Sequence, residues 1–141
     1  MIDRYSRKEL RKIWDEKNKY QIWLNIEIAA TQAMEKLKLV PRGVAKKIRR
    51  KATINVGRIH KIESKVHHDV IAFLTSITEK VGPEGRFLHK GMTSSDVLDT
   101  CFNIQLLQAG KIISKDINEL LKVLKNKSLK YKKTICIGRS H

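Results

Sequence analysis

Apolar residues return at three- and four-residue steps through most of this chain, the spacing of amphipathic helices. The first row runs Leu10, Ile13, Trp14, Tyr20, Trp23, Leu24, Ile28, Met34 and Leu37 until Pro41 stops it, and predicts one long core-facing helix. Ser6-Arg7-Lys8-Glu9 stands at its head and reads as a capping box, the serine oxygen accepting from a free backbone N–H while the glutamate reaches back. That helix is therefore expected to begin at about Arg7. A short basic helix is expected over Gly43 to Lys51 and another over Val56 to Val66. A further one, from about Asp69 to Lys80, carries Val70, Phe73, Leu74 and Ile77 and is broken by Gly82-Pro83-Glu84-Gly85.

The strongest periodicity follows. Leu98, Phe102, Leu106, Ala109, Ile113, Ile117, Leu120 and Leu124 are spaced 4, 4, 3, 4, 4, 3 and 4, close to the helical repeat. No proline interrupts this helix, which is expected to reach Tyr131 or Lys132. A second apolar row, Val97, Cys101, Ile104, Ile112 and Leu121, makes the buried face too wide for a two-stranded coiled coil. A helix of about 50 Å with such a face needs several neighbours, more than one domain of this length supplies. They are expected from other subunits or from sequence outside this chain. Thr134 to Ile137 alone looks β-like, and it is short and isolated. The fold class is all-α, with residues 1–92 as a small helical domain and residues 93–141 as the opening of an incomplete helical bundle.

Composition adds a constraint on partners. Of 141 residues 41% are hydrophobic, enough for a real core. Thirty Lys and Arg against fourteen Asp and Glu give a formal net charge of +16, which draws nucleic acid, acidic membranes or a strongly anionic small molecule alike. Between Lys111 and Lys133 there are eight lysines and no arginine, scattered among apolar residues. That suits a solvated helix face better than a nucleic-acid groove, where arginine forks are expected. Cys101 and Cys136 are isolated from each other and from any second ligand, so buried free thiols are expected. No apolar run approaches a membrane span, and no leader-like segment opens the chain, so a soluble cytoplasmic protein is the default expectation.

Three places concentrate chemistry. His67-His68-Asp69 opens a helix, where an imidazole can meet an anion and the carboxylate can orient it or merely cap the helix. Adjacent histidines diverge, and none is paired at a four-residue spacing, so a metal site is a poor reading. Gly91-Met92-Thr93-Ser94-Ser95-Asp96 follows His89 and leads into the long helix. Hydroxyls and free N–H groups at a helix start make an anion site, although a plain N-cap explains one or two of these residues. Arg4-Tyr5 can clamp a phosphate or be mere surface. No nucleophile triad, phosphate loop or zinc arrangement is present in the sequence.

Taken together, Arg4-Tyr5-Ser6, the helix with Ile13-Trp14 and Trp23-Leu24, His68-Asp69-Val70-Ile71-Ala72-Phe73, His89 through Thr100 and Gly138-Arg139-Ser140-His141 resemble the adenylosuccinate lyases, a branch of the fumarase and aspartase superfamily. The Thr-Ser-Ser-Asp-Val-x-Asp-Thr stretch and the Arg-Tyr-Ser start are characteristic of that branch. The motifs occur in order and cover essentially the whole chain. The resemblance implies a β-elimination in purine nucleotide biosynthesis that releases fumarate. The substrates are adenylosuccinate, cleaved to AMP, and the succinylated aminoimidazole carboxamide ribotide, cleaved to its amide. No cofactor is implied.

By the same resemblance His141 is the general acid that protonates the departing nitrogen, a role suited to imidazole. His68 binds and orients substrate near its phosphate, with His67 and Asp69 beside it. Thr93 and Ser94 hold a succinyl carboxylate, Arg4 and Tyr5 hold the nucleotide phosphate, and His89 lines the pocket. Two departures stand out. His67 occupies a place where the family usually carries Arg or Lys. The chain also stops at His141, before the family's glycine-serine loop, whose serine removes the Cβ proton. Family members are homotetramers whose sites draw on three subunits, so this N-terminal portion is expected to be inactive alone. The alternatives are a small basic nucleic-acid-binding module and a non-catalytic helical scaffold.

Overall fold

A computed structural model describes residues 2–141 and contains, among them, six α-helices and no strand. After a 3-10 turn at Asp3–Tyr5 come α1 (Lys8–Ile13), α2 (Glu16–Lys36), α3 (Val44–Lys51), α4 (Val56–Val66) and α5 (Asp69–Val81). A second 3-10 segment, Pro83–Phe87, leads by a short loop into α6 (Ser94–Tyr131). The all-α reading is correct, and the helices after residue 43 start and stop within a few residues of where the pattern placed them.

The first helix is not continuous. It breaks at Trp14-Asp15, where Trp14 closes α1 and Asp15, in an extended conformation, takes the N-cap of α2. Arg7, not Ser6, is the N-cap of α1, and its side chain makes no capping bond. The break is stabilised from two directions. The Ile13 carbonyl that continuous helix would have consumed instead accepts from the Asn18 amide at 2.8 Å and the Gln105 amide of α6 at 2.7 Å. Both bonds keep a buried acceptor paired.

Helix α2 is the spine. Tyr20, Trp23, Leu24 and Ile28 are buried on it, and Tyr20, Trp23 and Phe73 of α5 form the aromatic centre. Tyr20 stacks on Phe73 with centroids 5.9 Å apart, and Trp23 meets both rings edge-on at 5.3 and 5.4 Å. Edge-on and offset contacts of this kind suit the ring quadrupoles. Ile48 of α3, Ile59 of α4 and Val70, Ile77 and Val81 of α5 close the core around them. The indole N–H of Trp23 is buried without a well-formed hydrogen bond. It lies by the Cys101 sulfur, whose thiol pKa is pushed up by burial against smaller opposing effects of that indole and of Lys19. Cys101 is buried as expected, whereas Cys136 is exposed.

Only the first half of α6 belongs to this core. Val97, Cys101, Gln105 and Ala109, at four-residue steps, are its buried residues and pack toward α1 and α2. Arg7 pairs with Asp116, and Trp14 lies 6.2 Å from Phe102, centroid to centroid. Beyond Asp116 every residue is exposed. The more regular apolar row, from Leu98 and Phe102 through Ile113 and Ile117 to Leu124, thus faces outward along most of its length. Thr134 to Ile137 forms no strand.

Candidate functional site

The sequence-predicted residues occupy four places. Arg4 and Tyr5 lie in the N-terminal 3-10 turn, the guanidinium carbon 4.7 Å from the Tyr5 ring centroid. Tyr5 is largely exposed, so this pair presents both a cation and a hydroxyl to solvent.

His67 and His68 are the entire joint between α4 and α5. His67 ends α4 in the left-handed conformation at φ 52°, a region where histidine is among the more tolerated non-glycine residues. His68 is extended and is itself the N-cap of α5, its Nδ1 accepting from the Ile71 N–H at 3.4 Å. An Nδ1 that accepts leaves the ring proton on Nε2, which is thereby the donor available to a ligand. Asp69 accepts from the Val70 N–H at 2.7 Å and lies 3.7 Å from His68 Nδ1. The setting is acidic. Burial pushes the nearby Tyr20 hydroxyl up to about 12, and Glu16, Glu63 and Asp69 add to the rise through their charges. Glu16 also holds His60 Nε2 at 2.9 Å.

The third place is the start of α6. Asp96 Oδ2 accepts from the Thr93 N–H at 2.8 Å, one arm of a capping box. The other arm, from the Asp96 amide to the Thr93 hydroxyl, is present but looser, since that amide also donates to the Thr93 carbonyl at 3.1 Å. The capping function therefore rests chiefly on Asp96, and the Thr93 hydroxyl keeps acceptor and donor capacity in reserve. Ser94 and Ser95 are the first two helical residues, in the turn whose amides have no intrahelical acceptor. Exposed N–H groups, the helix dipole and neighbouring hydroxyls make this end attractive to a carboxylate.

His89, just before it, is held differently. Its φ is 58°, its backbone N–H donates to Glu27 Oε2 at 2.7 Å, and its Nδ1 meets Glu27 Oε1, also at 2.7 Å. Glu27, on α2, is 1% exposed, so a fully buried carboxylate grips one residue by backbone and ring together. Sequence reasoning missed Glu27. The signal was there, because Trp23, Glu27 and Thr31 follow at four-residue steps on the core face of α2, where an unpaired carboxylate would not survive.

His141 is the fourth place. It is exposed at the end of a segment without regular structure, and its carbonyl accepts from Arg139 Nε. Among the described residues no hydrogen bond or ion pair joins these four places to one another, and no cluster of His, Cys, Asp and Glu suits a metal ion. No helix among them is long and apolar enough to cross a membrane.

Residues 3–141 match the family model described as Lyase. Over all 141 residues the chain is 44% identical to an adenylosuccinate lyase of Thermotoga maritima and 43% identical to one of Staphylococcus saprophyticus. It spans 33% of the length of each. Among solved structures, a fumarate lyase from Mesorhizobium sp. BNC1 superposes with a TM-score of 0.87 at 22% identity, covering 97% of this chain and 34% of that one. At that identity the likeness speaks for the fold.

Proposed function

Since the chain belongs to the lyase family, we propose that it is the N-terminal portion of an adenylosuccinate lyase acting in the cytoplasm on an anionic purine nucleotide. The observation that carries this reading is the alignment of the whole chain with adenylosuccinate lyases at 43 and 44% identity. In this reading the enzyme eliminates fumarate from adenylosuccinate, leaving AMP, and from the succinylated aminoimidazole carboxamide ribotide, leaving the amide. Residues 1–92 form its small helical domain and residues 93–141 begin the bundle of a homotetramer. The exposed apolar face of α6 supports the second half of that statement, because a contiguous face of this length is otherwise an aggregation liability.

The roles follow from chemistry at each place. Thr93 and Ser94 receive a succinyl carboxylate, with N–H groups and hydroxyls aimed where negative charge sits. His68 donates from Nε2 toward the phosphate end, with Asp69 steadying the joint and His67 replacing a fixed cation by a titratable one. Arg4 and Tyr5 reach the nucleotide phosphate from the N-terminal turn. His89 lines the pocket, and His141 protonates the leaving nitrogen as general acid. No cofactor is needed for a β-elimination run by acid and base groups.

His141 lies far out on an unstructured segment, so the chain alone has nothing to hold its acid in place, and turnover depends on elements that pack against α6. Incubation of the 141-residue chain with adenylosuccinate is expected to release no fumarate. A fusion in which it replaces the corresponding third of the Thermotoga maritima enzyme is expected to release fumarate and to lose that activity on His141→Ala. An inactive fusion that folds and assembles refutes the reading, and unchanged kcat in the substituted fusion removes the acid role.

A further inference from the structure

The geometry points to Glu27 as the positioning residue of His89, fixing which ring nitrogen faces the ligand and how the loop enters α6. Three observations carry this. The carboxylate is buried, and both of its oxygens are spent on one residue, Oε2 on the His89 backbone N–H and Oε1 on Nδ1, each at 2.7 Å. His89 stands at φ 58°, a left-handed conformation that a non-glycine residue keeps only where something holds it. Among the described residues the ring has no other hydrogen-bond partner.

A carboxylate can only accept, so Nδ1 must carry a proton. Nε2 is then the one nitrogen left for a ligand, and the ring cannot turn end for end without abandoning the buried charge. In water neutral histidine prefers the opposite tautomer, so the carboxylate imposes the choice. The same grip fixes the direction of the five-residue stretch from His89 to the Thr93 cap. One acidic residue on α2 therefore sets two neighbouring parts of the proposed anion pocket. This role in catalysis rests on the lyase reading above, whereas the clamp itself does not.

Replacement by Gln separates positioning from simple packing. Glutamine has the same shape, but its single carbonyl oxygen can serve only one of the two donors. With that oxygen on the His89 N–H, the amide NH2 faces Nδ1 and must donate to it, which moves the ring proton to Nε2. Long-range 1H–15N spectra of the labelled 141-residue chain, recorded about two pH units above the ordinary histidine pKa, read this directly. His89 is expected in the Nδ1–H form, with His60 and His68 as Nε2–H references from their own bonds, and Glu27→Gln is expected to convert His89 to Nε2–H. His89→Asn assigns the signal and keeps a residue that tolerates left-handed backbone.

In the fusion with the Thermotoga maritima remainder, Glu27→Gln is expected to raise KM for adenylosuccinate roughly tenfold or more while kcat moves little, the usual scale for a lost orienting partner. A wild-type ring in the Nε2–H form, or one that Glu27→Gln leaves unchanged, overturns the clamp. A converted ring with unchanged KM overturns the positioning role. An unsubstituted fusion that folds without releasing fumarate overturns the lyase reading, and Glu27's part in catalysis with it, while the tautomer spectra still decide the clamp.

Discussion

The capping box at α6 sets the stability cost of touching the proposed carboxylate site, and its two members are not equivalent. Asp96→Ala removes the acceptor of the Thr93 N–H, a bond of 2.8 Å, and a negative charge from the first turn. Loss of the bond costs about 1 kcal/mol, and loss of the charge at the positive end of the helix dipole about 0.3 to 1 kcal/mol more. The sum is roughly 1 to 2 kcal/mol. Thr93→Ala removes only the looser arm, since the Asp96 amide retains the Thr93 carbonyl at 3.1 Å, and should cost about half a kcal/mol. The loss is global and not confined to the helix end, because Val97 and Cys101 in the next two turns belong to the common core. Urea denaturation followed by the emission of buried Trp23 should show a lower midpoint at unchanged slope. For a chain of this size Asp96→Ala should lower Tm by about 4 to 8 °C and Thr93→Ala by about 2 °C. If Thr93→Ala proves as costly as Asp96→Ala, the threonine hydroxyl is committed to the cap and is not in reserve for a substrate. Any loss of activity on its removal would then be structural.

Three further outcomes follow from the packing. Phe73→Ala, at the fully buried centre of the aromatic cluster, should cost about 3 to 5 kcal/mol in the same denaturation assay, and Phe73→Leu about half of that. Tyr20 has its folded pKa raised to about 12, against about 10 unfolded. Its contribution is intact below pH 10 and is lost as pH climbs through 12, on the order of 2 to 3 kcal/mol in all; Tyr20→Phe should flatten that part of the stability profile relative to wild type. Gly85→Ala puts a methyl 2.5 Å from Thr78 Cγ2 and should destabilise by about 1 to 3 kcal/mol, with Thr78→Ala recovering part of the loss in a double-mutant cycle.

Periodicity carried most of the fold because burial is what the 3.6-residue repeat reports. It failed at Trp14-Asp15 for a physical reason: the apolar spacing across the break is nearly that of a continuous helix, and what interrupts it is hydrogen bonding from Asn18 and from Gln105, ninety-two residues beyond Ile13. No local pattern encodes a donor that arrives from so far along the chain. At α6 the same repeat identified the helix and its two apolar rows but not their destinations. The residues that fill this core are Val97 and Cys101 from the second row, Ala109 from the first, and Gln105, which belongs to neither because hydrophobicity does not count a glutamine.

The candidate site was legible to a different extent at each place. Its residues could be named because hydroxyls, histidines and glycine cluster beside helix starts, where caps and anion sites share one chemistry. That shared chemistry is also why pattern alone could not separate cap from site; the structure adds that Asp96 accepts from the Thr93 N–H at 2.8 Å, whereas the Thr93 hydroxyl makes no full capping bond of its own. Glu27 was hidden by the opposite effect, a charge inside an apolar row that is readable only once its partner is known. The partner, His89, lies 62 residues away, and burial makes the pairing obligatory. A carboxylate at 1% exposure cannot be a solvated accident, so wherever such a residue interrupts a core-facing row near histidines, the histidine it grips is the one whose tautomer the fold has chosen. By that reasoning the row Trp23, Glu27, Thr31, at four-residue steps, is as much a pointer to the proposed site as Thr93 and Ser94, and it marks the side of His89 that faces the protein, leaving Nε2 for whatever binds.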